Sequence, residues 1–118
     1  MKNSINACVQ ICHNAQVKAG WWTNVDVFAP FVIPAKLGLI HSEVSEAMEG
    51  DRKDCMDDKL PHRKMVEVEL ADAVIRIFDL AGAMGLDLGG ALDEKMVFNA
   101  ARLDHKPENR AKDGGKRY

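Results

Sequence analysis

The 118-residue chain is short of the features that usually reveal a site. It has no P-loop and no G-x-G-x-x-G, so neither of the common glycine-rich phosphate cradles is present. It has three cysteines, Cys8, Cys12 and Cys55, and no Cys-x-x-Cys. An odd count without that spacing points to reduced thiols rather than a disulfide framework. Cys8, Cys12 and His13 lie close together in sequence, but helical cysteines usually serve as small apolar groups, and that reading is preferred to a metal site. No apolar run approaches the ~18 residues of a membrane span. The opening MKNSINACVQ shows no signal-peptide pattern, so the expectation is a cytoplasmic protein with no membrane partner. No segment alternates as a strand would, and no internal repeat is found. A Glu-x-x-His is missing too, which argues against a di-iron carboxylate bundle. A net charge of −2 speaks against polymeric nucleic acid, whose binders present a larger basic surface.

What remains is ordinary in bulk, with 29% charged and 47% hydrophobic residues, as in a single soluble globular domain. Its periodicity is helical. Ile5, Cys8, Val9, Cys12 and Ala15 predict a first helix ending at Gly20. Both tryptophans, Trp21 and Trp22, follow at once. Pro30 and Pro34 bracket an irregular connection. The second helix is expected over Lys36 to Glu49, closed by Gly50. The charge-dense segment Asp51 to Arg63 reads as a loop or a short broken helix. A long third helix runs from Val66 to Met84, and Leu86 to Gly90 is expected to turn. A fourth helix then covers Ala91 to Leu103. The fold class is therefore all-α, with four to five helices over residues 1–108 and a basic arm over 109–118. Residues 102–118 carry a net +3, leaving the rest at −5.

The third helix holds the organising feature. At about 100° per residue, Val66, Leu70, Val74, Ile77 and Ala81 fall within one arc, which Ala71, Ile75 and Phe78 widen. Glu69, Asp72, Arg76 and Asp79 occupy the narrow remainder. A helix so apolar should be mostly buried, with its polar stripe facing a cleft. Glu67 falls inside the apolar arc, near the start of the helix. In the second helix Leu37, Ile40, Val44, Ala47 and Met48 form the apolar face, and Glu43 and Glu46 border it. Packed antiparallel, the two helices bring four carboxylates together. Such a group repels itself unless a cation neutralises it, and oxygen-only ligands suit Mg²⁺ or Mn²⁺ better than zinc or copper. A lone E-x-x-E is common on solvated helices, but two such pairs on neighbouring apolar helices are less so.

These motifs, SEVSEAMEG and ELADAVIRIFDLAG with 22 residues between Glu46 and Glu69, resemble the metal motif of the MazG-like nucleoside triphosphate pyrophosphohydrolases. The likeness continues through HNAQVKAGWW, EKMVFNAAR and the closing GGKRY. It implies a MazG-like all-α bundle that self-associates as a homodimer or homotetramer. The implied activity is Mg²⁺-dependent hydrolysis of an NTP or dNTP to NMP and pyrophosphate, with Mn²⁺ as a possible substitute, in a house-cleaning role on the nucleotide pool. By resemblance Glu43, Glu46, Glu69 and Asp72 ligate the metal, and Glu46 is the first choice to act on the attacking water. Lys95, Asn99 and Arg102, which share a helix face, would contact phosphates. His13, Trp21 and Trp22 would line the base pocket.

Two departures stand out. The chain carries one such module where full-length relatives carry up to two, and Val68 precedes Glu69 where relatives often have an acid. Asp58, Lys59, His62 and Arg63 fit a substrate-covering loop by charge alone. The GGKRY end is open to two readings, a phosphate clamp or a frayed terminus. The alternatives to a general pyrophosphatase are a base-selective dUTPase or dCTPase, and an idle helical module that binds nucleotide or assembles with a partner.

Overall fold

The computed structural model describes residues 1–118. It is all-α, with helices α1 (Lys2–Lys18), α2 (Val32–Lys53), α3 (Met65–Ala83), α4 (Leu88–Ala101) and the single turn α5 (Pro107–Arg110). A 3-10 turn, Leu103–His105, precedes α5. The one extended pairing is an isolated antiparallel bridge between Met56 and Lys64. No helix is long and apolar enough to cross a membrane. The chain divides into two units, Ala7–Leu86 and Met1–Asn6 with Asp87–Tyr118.

In the first unit α2 and α3 pack against each other. The inner face of α2 is Glu43, Ala47 and Gly50, which recur at the spacing of one helix face. The second helix therefore does not stop at Gly50, as expected from the glycine, but continues to Lys53. A Cβ on Gly50 would stand 2.9 Å from the backbone nitrogen of Val66. The glycine is there for close approach to the start of α3. Asp54, in the left-handed region at φ 45°, takes over termination, and its N–H bonds to the carbonyls of Asp51 and Gly50. The segment from Asp54 to Lys64 is a pinned loop. Asp57 N–H donates to Arg63 O at 2.9 Å and Met65 N–H to Cys55 O at 3.0 Å. The buried carboxylate of Asp57 accepts the backbone N–H groups of Lys59 and Leu60.

α3 is less covered than its apolar arc predicts. Ala73, Leu80 and Ala81 are buried, but Leu70 remains 50% exposed and Val74 45%. α2 covers one side of α3. On α2, Val44 and Met48 are likewise exposed. α1 meets α3 at Gly82, where a Cβ would stand 2.6 Å from the Cβ of His13. Of the three free thiols, Cys12 and Cys55 are half-buried and Cys8 is exposed. Burial, together with Cys8 and Asp79 nearby, pushes the Cys12 thiol up.

In the second unit α4 starts earlier than the glycines suggest. Asp87 is its N-cap, accepting from Gly90 N–H, so Gly89 and Gly90 belong to the first helical turn. Asn6 ties this turn down, accepting from Gly89 N–H at 2.8 Å and donating to Asp87 at 2.7 Å. The residues expected as a basic arm are partly structured. Asn109 and Arg110 complete α5, and Lys116 reaches Asp104 at 2.7 Å.

Candidate functional site

The candidate site is a cleft of about 470 Å³ within the unit Ala7–Leu86, lined by α2 and α3 residues together with Gln16 and Trp21. Glu43, on α2, and Asp72, on α3, both face it. With Glu69 they form a set whose ligand oxygens all lie within 4.8 Å of one another. Local geometry explains the arrangement. Glu69 and Asp72 are one turn apart on α3, Glu43 lies on the buried face of α2, and the helices pack side by side.

Such proximity perturbs the acids. Glu69 is pushed up to about 7, first by burial and then by Glu43 and Glu46, which share hydrogen bonds and repulsion with it. Asp72 is also raised, by burial and then by Glu43; Arg76 pulls it down, and Asp57 and Glu46 push it further up. Glu46 thus adjoins Glu69, but its residue is exposed and it stands outside the tight set of three. A set of three carboxylates from two rigid helices, oxygen-only and partly desolvated, has the donor chemistry that suits Mg²⁺ or Mn²⁺.

The cleft also contains cations. Arg76 donates through Nε–H to Glu43 Oε1 at 2.6 Å, with its side chain 41% exposed against 10% for Glu43. Lys36 holds its Nζ 4.5 Å from the centre of the Trp22 ring. Asp79 lies buried at the cleft wall. Its Oδ1 accepts from Trp22 Nε1–H at 2.8 Å and contacts His13 Nδ1 at 2.8 Å. His13 and Trp22 meet edge to face with ring centres 5.8 Å apart.

The three residues expected at a base pocket therefore divide. His13 and Trp22 are fixed to Asp79, with their polar edges engaged by it. Trp21 is 67% exposed and lines the cleft. Lys95, Asn99 and Arg102 lie in the other unit. There Lys95 rests over the Phe98 ring, Arg102 is held in a two-point pair with Asp104, and Asn99 Oδ1 is buried without a partner. Asp58, Lys59, His62 and Arg63 are exposed on the loop, and Arg63 pairs with Glu67 at 2.7 Å.

The expectations omitted Lys36, Arg76, Asp79 and Asp57 as site residues. A signal existed for three of them. Arg76 and Asp79 follow Asp72 by four and seven residues, and Lys36 precedes Glu43 by seven, all spacings of one helix face. Asp57 carries no such mark, because its place is set by loop hydrogen bonds. No family model, curated protein or solved structure matches the chain.

Proposed function

We propose that the chain is a Mg²⁺-dependent nucleoside triphosphate pyrophosphohydrolase of MazG-like type. The observation that carries the reading is the Glu43, Glu69 and Asp72 set, with oxygens within 4.8 Å of one another, of which Glu43 and Asp72 line a cleft that also presents Lys36 and Arg76. Acids this close must share protons or a cation at neutral pH. The nearby lysine and arginine give the same cleft an attraction for an anion. A polyphosphate arriving with its own divalent cation satisfies both halves.

In this reading Glu43, Glu69 and Asp72 hold Mg²⁺, with Glu46 beside Glu69 as the fourth acid. When bound, the ion would supply charge neutralisation and Lewis-acid polarisation of the phosphate. Glu46, the most accessible of the four acids, accepts a proton from water as the water oxygen bonds to the α-phosphorus. The bond from that phosphorus to the bridging oxygen breaks, and pyrophosphate leaves with the electron pair. Trp21 offers an open ring to the base, a contact worth ~1–3 kcal/mol. The preferred base and sugar are the variables of the assay, and a dUTPase or dCTPase would appear there as a single strong signal.

The uncovered apolar residues support a further part of the proposal. Leu37, Val44 and Met48 on α2, with Leu70 and Val74 on α3, are all more than two-fifths exposed, and association of like chains would bury them.

The test is pyrophosphate release from a panel of NTPs and dNTPs, with Mg²⁺ and with chelator. Turnover that needs Mg²⁺ is expected for at least one nucleotide. No turnover across the panel sinks the hydrolase and leaves an idle binding module.

A further inference from the structure

The contact between Arg76 and Glu43 presents a conflict. Glu43 is the most buried member of the carboxylate set, and it is also the acceptor of the guanidinium at 2.6 Å. A divalent cation held by the same carboxylate would place like charge beside Arg76, and the ε-nitrogen contact would weaken. Arg76 has an alternative. Its side chain is 41% exposed and lines the cleft. The contact to Glu43 engages Nε–H and leaves the remaining guanidinium N–H groups for a planar, two-point acceptor such as a phosphate.

We propose that Arg76 is an exchangeable partner: it neutralises Glu43 in the metal-free cleft and turns onto the polyphosphate of the ligand when a divalent cation takes over Glu43. The proposal rests on reading the cleft as a metal-dependent polyphosphate site. The exchange accounts for a cation among acids that are needed to hold another cation. In the empty cleft it limits repulsion among Glu43, Glu69 and Asp72. In the loaded cleft the same charge opposes the negative charge of the phosphates. Lys36, which lines the same cleft, stays over Trp22, and Asp79 holds Trp22 in place. Arg76 is therefore the cation with a partner to exchange.

Titration calorimetry on the full chain tests this with two probes that require no turnover. These are Mn²⁺ alone, and inorganic tripolyphosphate in the presence of saturating Mn²⁺. Arg76→Gln is expected to bind Mn²⁺ at least threefold more tightly than the wild type, because the competing cation is gone. It should bind tripolyphosphate at least tenfold more weakly, as expected for the loss of a charge-assisted contact. Arg76→Lys keeps the charge without the fork and should fall between the two on both axes. A purely structural arginine would move both affinities downward together or neither. Opposite movement is thus the signature, and Mn²⁺ binding that is unchanged or weakened in Arg76→Gln overturns the exchange. So does unchanged tripolyphosphate binding. If Arg76→Gln does not fold, Arg76→Lys alone must show the smaller opposite movement or the exchange is rejected. Nucleotide turnover separates the two readings. Opposite movement in a chain that hydrolyses no nucleotide retains the exchange and removes the hydrolase, while turnover without opposite movement removes the exchange alone. A wild type that binds neither probe removes both.

Discussion

The carboxylate set should make the metal-free protein less stable as pH rises through neutrality, with Glu69 as the main cause. Its carboxyl sits at about 7 in the folded chain, against an ordinary 4.5. Between these values the folded state holds a proton that the unfolded state has lost, so raising the pH favours unfolding. The stabilising contribution is complete below 4.5 and gone above about 7. At about 1.4 kcal/mol per pH unit, the full displacement corresponds to ~3 kcal/mol. Glu69 is only half-buried, and solvent screening lowers this to about 1–2 kcal/mol. A chain of this size gains about 4 °C in Tm per kcal/mol. Melting in chelator should therefore occur about 4–8 °C higher at pH 5 than at pH 8. Asp72, also raised, acts with the same sign. Asp87, lowered to about 2 by Asn6, Gly90 and Lys2, acts with the opposite sign, its stabilisation being lost as pH falls below its ordinary 3.8. Asp104, lowered by Arg102 and Lys116, behaves likewise, so neither intrudes between pH 5 and pH 8. Circular dichroism melts of wild type and Glu69→Gln at both pH values provide the assay, with the variant expected to lose at least half of the difference. Mg²⁺ added at pH 8 should restore stability by replacing the proton. A wild type that melts no higher at pH 5, or a Glu69→Gln chain that keeps the whole difference, refutes the reasoning.

Three further outcomes are expected. Glu46→Gln and Asp72→Asn should each remove most Mg²⁺-dependent pyrophosphate release, with helical content retained and Tm equal or higher, because one repelling charge is gone; near-normal turnover in both at saturating Mg²⁺ would place the site elsewhere. Light scattering at micromolar concentration should give at least twice the 13.1 kDa of one chain, and a monomer there would leave the exposed residues of α2 and α3 without an explanation. Gly50→Ala should cost about 1–3 kcal/mol through overpacking, because its Cβ would meet Val66 N at 2.9 Å and Met65 Cβ at 3.0 Å; an unchanged melting temperature would mean that α2 and α3 do not depend on this close approach.

Local rules made the helices legible and misplaced their ends. The arc from Val66 to Ala81 predicts α3 because periodicity is a property of a few neighbouring residues. The same local rule reads Gly50 as a stop, when the glycine instead answers to Met65 and Val66, across the loop from it. Gly89 and Gly90 read as a turn for the same reason, although the Asp87 cap and Asn6 draw them into α4. Glu69 and Asp72 were visible as one face of one helix, and so were Glu43 and Glu46. The convergence of Glu43 with Glu69 and Asp72 follows from packing between helices. His13, Trp22 and Asp79 show the limit most clearly. His13 and Trp22 stand 66 and 57 residues from Asp79 along the chain, and nothing in the spacing announces that one carboxylate holds both rings.

The dimensions of the cleft depend as much on small residues as on the acids. Ala47 and Gly50 follow Glu43 on the inner face of α2, and Ala73 adjoins Asp72 on α3, all of them buried. Side chains this short let two helices come close, and closeness brings the oxygens of Glu43, Glu69 and Asp72 within 4.8 Å. That proximity is unfavourable for the charges and favourable for the packing around them. Burial, and then the closeness of Glu43 and Glu46, raises Glu69 toward neutrality, and the crowding of acids keeps Arg76 on Glu43. A divalent cation would relieve the first effect and displace the second, so the packing of α2 on α3, the protonation of Glu69 and the position of Arg76 are coupled through one carboxylate.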